Sequence, residues 1–279
     1  MSKQIFDHDP RPIGIFDSGI GGVSVLNSFA ERFPNENYIY VGDTARLPYG
    51  NKSPETIQKY CDQILNFLMT LDVKLIVVAC NTASTQIFKP EFKGIPVIEM
   101  ISSAMNQLMT KTSHRIPDSE NIVLLATRST IQSGVYQKRI SEIHPEQKLV
   151  TIPCPLFVPL VEEGLMNHTI TEQTLKLYFE EQTSLNWQEI HSLILGCTHY
   201  PFLKSTLEKY FSKKISQNFR FIDCSLGAVE SFAANSKILK NKHASVQTQV
   251  FLTDRSDYFD LILKRLGKFK IHQIETIHL

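Results

Sequence analysis

The sequence predicts an α/β protein made of two similar parallel-sheet domains that face each other across a cleft. Short aliphatic runs alternate with segments of helical periodicity, a pattern typical of βαβ units and parallel sheets. The runs form two sets of four with matching order and rough spacing, and the third run of each set ends at a cysteine, Cys80 or Cys197. We therefore expect a duplicated fold that presents two thiols at equivalent strand ends, where open α/β sheets bind their ligands.

Each half is expected to contribute four strands. The runs are mainly aliphatic or aromatic, as in strands that are covered on both faces. Residue identity between the halves is low, so the repeat is one of topology. The predicted strands are 13–16, 38–41, 75–79 and 95–98 in the first half, and 122–126, 148–152, 193–195 and 219–222 in the second.

Amphipathic helices are predicted between the strands. Residues 54–70 place their apolar side chains on one stripe at helical spacing, and Ser53 is a suitable N-cap for that helix. Another helix is expected to begin near Val23, and similar stripes cover 171–182 and 203–211. Because a strand, a helix and a second parallel strand connect with a right-handed crossover, these helices should cover the faces of the two sheets.

Length, composition and charge indicate the number of domains and the expected kind of partner. At 279 residues the chain exceeds the size of a typical domain, roughly 100–150 residues, which favours two domains. With 42% hydrophobic residues, 20% charged residues and a formal net charge of +1, it has the composition of an ordinary globular protein. Such a charge gives no reason to expect a surface for nucleic acid or for an anionic membrane. A small-molecule substrate is the expected partner.

Cysteine usage and hydropathy predict a cytoplasmic protein. The sequence contains no uninterrupted apolar stretch long enough to span a bilayer, and residues 2–9 are too polar for the core of a signal peptide. The five cysteines are an odd number and are scattered without the spacing of a disulfide framework. We therefore expect reduced thiols in a cytosol.

Two loops after predicted strands are candidates for ligand binding. The glycine-rich loop 16–22 leads into a helix, but Ser24 stands where a dinucleotide fingerprint needs its third glycine, and no Gly-Lys-Ser/Thr follows. A small carboxylate suits such a helix start, and Asp17 and Ser18 favour a site over a simple tight turn. The loop 42–50, with its glycines, proline, acid, base and tyrosine, is either a segment that closes over a substrate or a surface turn.

The two matched cysteines carry the strongest inference. The pKa of a free thiol, roughly 8.5, lies close enough to neutrality for proton transfer in either direction. His199, two residues after Cys197, is a candidate to set the protonation state of that thiol, and Glu162 either faces the cleft or begins a helix. Structural cysteines, a zinc site that uses Cys80, Cys197 and His199 but lacks a Cys-x-x-Cys pair, and a Cys–His hydrolase are the alternatives. The cysteines interpreted as structural are Cys61, Cys154 and Cys224.

Four motifs at these positions together resemble glutamate racemase, the cofactor-independent enzyme family that makes D-glutamate for the peptidoglycan of the bacterial cell wall. The likeness extends from about Pro12 to the segment 251–253 and the final helix. The motifs occur in the family order, at 15–22, at 41–43 with 48–50, at 78–84 and at 195–201.

The resemblance implies a role for each motif residue. Cys80 and Cys197 would be the two acid/base thiols, with Cys80 facing the α-proton of the D isomer and Cys197 that of the L isomer. The side chains implied to assist the thiols are Asp17, Asp43, Glu162 and His199. The residues implied to bind substrate are Asp17, Ser18, Pro48, Tyr49, Gly50, Asn81, Thr82, Thr127, Thr130, Thr198 and His199. The orientation of Arg128, between the two threonines of its loop, is left unassigned.

The resemblance also implies the organisation of the enzyme. The two domains would be related by a pseudo-twofold axis, with 1–98 plus 224–279 as the first domain and 99–223 as the second. No pyridoxal phosphate, other cofactor or metal is expected, since no lysine occupies a comparable strand end, and the family commonly forms homodimers. Two alternatives stay open: an aspartate or other amino-acid racemase of the same architecture, and a non-catalytic protein that binds an amino acid.

Overall fold

The computed structural model contains two mainly parallel sheets flanked by helices. It describes residues 8–87, 89–110, 121–212, 214–215, 219–236, 238–241 and 246–279. The N-terminal residues 2–7, on which the absence of a signal peptide is partly predicted, lie outside the described residues. Within the part of the chain that is described, no helix combines the length and apolar composition needed to cross a membrane.

Eleven strands are present in the described residues. They are β1 (Ile13–Asp17), β2 (Tyr38–Gly42), β3 (Leu75–Val78), β4 (Glu91–Phe92), β5 (Ile95–Glu99), β6 (Asn121–Ala126), β7 (Leu149–Pro153), β8 (Ile190–Gly196), β9 (Arg220–Asp223), β10 (Thr248–Leu252) and β11 (Gln273–Thr276). The first sheet has the order β11-β10-β2-β1-β3-β5-β4, and the second has the order β7-β6-β8-β9. All strand pairs are parallel except β4 with β5.

Eleven α-helices connect these strands over the described residues. They are α1 (Val23–Arg32), α2 (Pro54–Thr70), α3 (Asn81–Ser84), α4 (Met100–Thr110), α5 (Arg128–Gln132), α6 (Val135–Ile143), α7 (Phe157–Glu162), α8 (Thr169–Glu180), α9 (Lys204–Phe211), α10 (Cys224–Ala234) and α11 (Asp257–Leu266). Helix α2 begins as predicted, because the hydroxyl of Ser53 accepts a hydrogen bond from Thr56 N. Helix α8 begins two residues before the predicted start, with His168 as its N-cap.

The predicted α/β duplication is confirmed by the strand order. In the first sheet the order β2-β1-β3-β5 matches the order β7-β6-β8-β9 of the second, when β1, β2, β3 and β5 are aligned with β6, β7, β8 and β9. All eight predicted strands are present, although β8 begins three residues before its predicted start. Cys80 therefore follows β3 and Cys197 follows β8, the equivalent inner strand of each sheet. The proposed domain boundaries remain a prediction.

Three strands of the first sheet are additions to the predicted set. Strand β4 contains only two residues, and β11 reads Gln-Ile-Glu-Thr with mostly exposed side chains. Neither has the apolar run on which a sequence-based assignment depends. Strand β10 pairs with β2 and so places the C-terminal segment beside the loop that follows β2.

A buried ion pair lies at the amino ends of β2 and β3. Lys74 Nζ is 2.6 Å from Glu36 Oε2, and both side chains are 1% exposed. The ammonium also donates to the carbonyl oxygens of Asp9 at 2.7 Å and Leu239 at 3.1 Å. The contacts satisfy a charge that burial would otherwise make very costly.

Lys74→Met is expected to destabilise the protein by about 3–5 kcal/mol, because it leaves the Glu36 carboxylate buried without its cation. Chemical denaturation at equilibrium measures the loss. The double variant Glu36→Leu/Lys74→Met should recover part of it, since no unpaired charge remains. A free energy of unfolding unchanged in Lys74→Met would show that the pair is not needed.

Candidate active site

A cavity of about 290 Å³ opens at the carboxyl ends of both sheets. Its walls come from the segments that follow β1, β3, β6, β7 and β8, together with the loop after β2. The predicted site residues that line it are Ser18, Pro48, Tyr49, Gly50, Cys80, Asn81, Thr82, Thr127, Glu162, Cys197, Thr198 and His199. Three further predicted residues, Asp17, Asp43 and Thr130, are buried behind this lining.

Cys80 is held at the N-terminus of α3. Its Sγ accepts a hydrogen bond from Ala83 N at 3.4 Å and lies 3.5 Å from the Ser18 hydroxyl, so the side chain is fixed from both sides. Burial raises the pKa of the Cys80 thiol to about 12, and the nearby Asp17 adds to that rise against the hydrogen bonds of Ser18 and Ala83. At neutral pH Cys80 therefore carries a proton that it can donate.

Cys197 has a different electrostatic environment. Its Sγ lies 3.8 Å from Nδ1 of His199, and Nε2 of the same ring lies 3.0 Å from Oε1 of Glu162. Burial opposes the charge on the ring, but the hydrogen bonds with Cys197 and Glu162 raise the pKa of His199 to about 10. The ring is therefore an imidazolium at neutral pH, and it places a positive charge beside the sulfur of Cys197.

Glu162 faces the cleft and is the last residue of α7. The sequence left open whether it faced the cleft or began a helix, and its contact with His199 decides for the cleft. Arg265 of α11 donates to the carbonyl oxygen of Glu162 at 3.1 Å, and Tyr258 of the same helix donates to Glu163. The C-terminal helix thus supports the segment that holds His199.

Asp17 connects the two halves of the site from behind the cavity. It ends β1 and is 1% exposed, and its Oδ1 accepts a hydrogen bond from the Thr198 hydroxyl at 3.1 Å. Burial raises the pKa of Asp17, while His199 and the Thr198 hydrogen bond oppose the rise. Gly21 allows this close approach, because a Cβ there would overlap the side chains of Thr198 and His199.

Asp43 is separated from the cavity by Tyr49. Its carboxylate accepts hydrogen bonds from Arg46 Nε at 2.7 and 2.8 Å, from the Thr253 hydroxyl at 2.9 Å and from the Tyr49 hydroxyl. The guanidinium of Arg46 also lies over the ring of Tyr60. These contacts hold the loop after β2 against β10. A direct role of Asp43 in assisting the thiols stays a prediction.

Three threonine hydroxyls form a closed set beside the cavity. Thr82 Oγ1 lies 3.2 Å from Thr127 Oγ1 and 3.0 Å from Thr130 Oγ1, and the last two are 3.0 Å apart. Thr82 and Thr127 line the cavity, whereas Thr130 is fully buried. The arrangement makes Thr130 a support for the other two hydroxyls.

Sequence reasoning missed the apolar part of the lining. Leu47, Pro155, Val158 and Pro159 line the cavity, and Gly19, Asn51 and Gly196 also contribute. The signal available for the first proline was its position after β7, at the same sheet edge as the motifs. Arg128, whose orientation was unassigned, lies at the mouth with an exposed side chain.

The cavity lining includes cysteine, histidine and glutamate side chains, which are potential metal ligands. Among the described residues, no group of three His, Cys, Asp or Glu side chains is arranged to hold a metal ion. The donors at the cavity are instead paired with one another, as His199 is with Glu162.

Comparison with known proteins assigns the chain to a family. The model of the family described as Asp/Glu/hydantoin racemase matches residues 13–231. The glutamate racemase of Persephonella marina is 39% identical over 93% of this chain and 95% of its own length. The crystal structure of glutamate racemase from Francisella tularensis in complex with D-glutamate superposes with a TM-score of 0.82 at 33% identity and covers 98% of both chains. The crystal structure of glutamate racemase isoform RacE1 from Bacillus anthracis has a TM-score of 0.84 at 29% identity. It covers 98% of this chain and 99% of its own chain. The chain therefore belongs to the Asp/Glu/hydantoin racemase family.

Proposed function

We propose that this protein interconverts L-glutamate and D-glutamate by a two-base proton transfer that needs no cofactor. The observation that carries the proposal is the pair of buried thiols at one cavity, with a protonated Cys80 on one side and an imidazolium beside Cys197 on the other. Relatives named glutamate racemase, matched over almost the whole chain, support glutamate as the substrate.

The two thiols act on opposite faces of the α-carbon. With L-glutamate bound, the thiolate of Cys197 removes the α-proton, and the thiol of Cys80 donates its proton to the opposite face. The product is D-glutamate, and the enzyme is left with a Cys197 thiol and a Cys80 thiolate. That form removes the α-proton of D-glutamate in the reverse direction, so each thiol serves as base for one enantiomer.

The weak acidity of the α-carbon is the main obstacle to this reaction. Negative charge that develops on the carboxylate during proton removal needs preorganised hydrogen-bond donors, and one such donor is worth about 2.7–4 kcal/mol. The amide nitrogen of Asn81 has no hydrogen-bond partner among the described residues, and the hydroxyls of Ser18, Thr82 and Thr198 also line the cavity. The apolar residues around them exclude water, which strengthens these interactions.

Arg128 is expected to assist the capture of substrate, which carries a net negative charge. It lines the mouth, and its side chain forms no hydrogen bond or ion pair with the described residues. Arg128→Gln should raise the KM for glutamate about 1.5- to 5-fold, the range of one exposed charge interaction. The effect should shrink as salt is added, and Arg128→Lys should retain most of the wild-type KM. Equal KM values at low salt for wild type and Arg128→Gln would contradict this role.

The activity is tested by incubating extensively dialysed protein with L-glutamate, without added cofactor, and separating the enantiomers by chiral chromatography. Accumulation of D-glutamate toward a racemic mixture is the expected result. L-aspartate in parallel samples distinguishes the nearest alternative, because faster formation of D-aspartate would identify an aspartate racemase. Binding of glutamate without conversion would identify a non-catalytic binding protein.

We further propose that the enzyme supplies D-glutamate for peptidoglycan in the cytoplasm and that it acts as a homodimer. The family resemblance supports the role in peptidoglycan synthesis and the homodimer, and the scattered, odd number of cysteines supports the cytoplasmic location. Light scattering on the purified protein tests the assembly, and a mass equal to one chain of 31.8 kDa would contradict the homodimer.

A further inference from the structure

A hydrogen bond fixes the direction of the Asn81 side-chain amide. Asn81 is 3% exposed and follows Cys80 at the start of α3. Its Oδ1 accepts a hydrogen bond of 2.7 Å from the hydroxyl of Tyr136 on α6. Its Nδ2 is buried and has no hydrogen-bond partner among the described residues. An amide with its oxygen occupied and its two N–H donors free is available to an acceptor in the cavity that Asn81 lines.

Tyr136 is suited to act as a permanent donor in this contact. The side chain is fully buried, and burial, followed by the nearby Cys224, raises the pKa of its hydroxyl well above the ordinary value. The hydroxyl therefore keeps its proton throughout the working pH range of the enzyme. Because the Tyr136 hydroxyl always donates, it favours the orientation in which Asn81 Oδ1 faces Tyr136. The Nδ2 group of Asn81 then points away from Tyr136.

Cys224 completes the same polar cluster. Its Sγ lies 3.5 Å from the Tyr136 hydroxyl and 3.7 Å from Asn81 Oδ1, and it donates to the carbonyl oxygen of Leu195 at 3.4 Å. Leu195 belongs to β8, the strand that leads to Cys197. The cluster therefore joins the segment after β3 to elements of the second sheet, at the level of both catalytic thiols.

We propose that Tyr136 is a positioning residue for racemisation, which holds Asn81 so that the amide N–H groups face the α-carboxylate of the substrate. The inference rests on the proposed function and adds a residue that does not touch the substrate. If the Tyr136 hydroxyl is removed, the Asn81 amide loses the contact that distinguishes its oxygen from its nitrogen. If the Asn81 amide rotated, its oxygen would face the α-carboxylate of the substrate, and the two negatively polarised groups would repel each other.

A double-mutant cycle tests the inference through the rate. Tyr136→Phe should lower kcat/KM for glutamate about 5- to 10-fold, the effect expected for loss of one hydrogen bond. The loss should fall mainly on kcat, because the donor counts most when charge develops. Asn81→Ala should lower kcat/KM about 10²- to 10³-fold. The double variant should match Asn81→Ala alone, since Tyr136 acts through Asn81.

Tyr38→Phe is the matched control. Tyr38 is also buried, and its hydroxyl donates to the carbonyl oxygens of Phe29 and Phe33, away from the cavity. The Tyr38→Phe variant should lose about as much thermal stability as Tyr136→Phe, but its kcat/KM should equal that of the wild type. Wild-type kcat/KM in Tyr136→Phe, or additive losses in the double variant, would overturn the inference. An inactive wild type would instead refute the proposed function.

Discussion

Replacement of either cavity cysteine by serine is expected to abolish racemisation and to leave one working base in each variant. A serine hydroxyl is a far weaker acid than a thiol, so Cys80→Ser and Cys197→Ser each remove one partner of the proton transfer. Loss of one positioned acid/base group typically costs about 10²–10⁴-fold in rate. The rate of appearance of D-glutamate from L-glutamate, and the reverse, measures the effect.

A glutamate analogue with a leaving group on its β-carbon separates the two bases, because elimination needs only the removal of the α-proton. Cys80→Ser should still eliminate the L analogue through Cys197, whereas Cys197→Ser should still eliminate the D analogue through Cys80. Each variant thus serves as the control for the other. Either variant racemising glutamate at the wild-type rate would contradict the two-base mechanism.

His199→Gln is expected to lower kcat/KM at pH 7 by about 10²-fold and to move the activity toward higher pH. The pKa of His199 is raised to about 10, so the wild-type ring is charged throughout the neutral range and stabilises the thiolate of Cys197. A neutral glutamine side chain removes that cation, and the thiolate then forms only at higher pH. A pH–rate profile of kcat/KM for L-glutamate measures the shift.

Glu162→Gln provides a graded comparison for His199→Gln. It keeps the ring but removes the carboxylate that lies 3.0 Å from Nε2 and holds the positive charge there. We expect a smaller shift of the pH–rate profile in the same direction. Because the two enantiomers are equally stable, kcat/KM must fall equally in both directions of racemisation for each variant. A profile unchanged by His199→Gln would show that Cys197 does not depend on the imidazolium.

The duplicated fold was predictable because its inner strands are continuous apolar runs. An apolar run such as 75–79 is typical of a parallel strand that is buried on both faces. Cys80 follows this run and therefore lies at the carboxyl edge of the sheet. The equivalent run places Cys197 at the matching edge of the second sheet. The order and apolar character of these runs predicted the topology of both sheets, and that topology predicts that the two thiols lie at one cavity.

The supporting contacts of the site were not predictable in the same way. Tyr136 lies on a helix of the second half, and its contact with Asn81 depends on how the two halves pack, which periodicity does not encode. Asp43 ends up behind Tyr49 because the loop after β2 folds back on β10, a strand that the sequence pattern did not reveal. The direction of Arg128 likewise depends on a loop conformation.

The two-base mechanism requires two thiols on opposite faces of one carbon, and the isotope at Cα of newly formed product distinguishes it from a one-base mechanism. Protiated L-glutamate is incubated with the enzyme in D₂O and analysed by NMR at low conversion. With two bases, D-glutamate should carry solvent deuterium at Cα, while the remaining L-glutamate keeps its proton. D-glutamate that carries the proton of its own L-glutamate precursor would mean that a single base returns the proton, and would rule out the two-base mechanism.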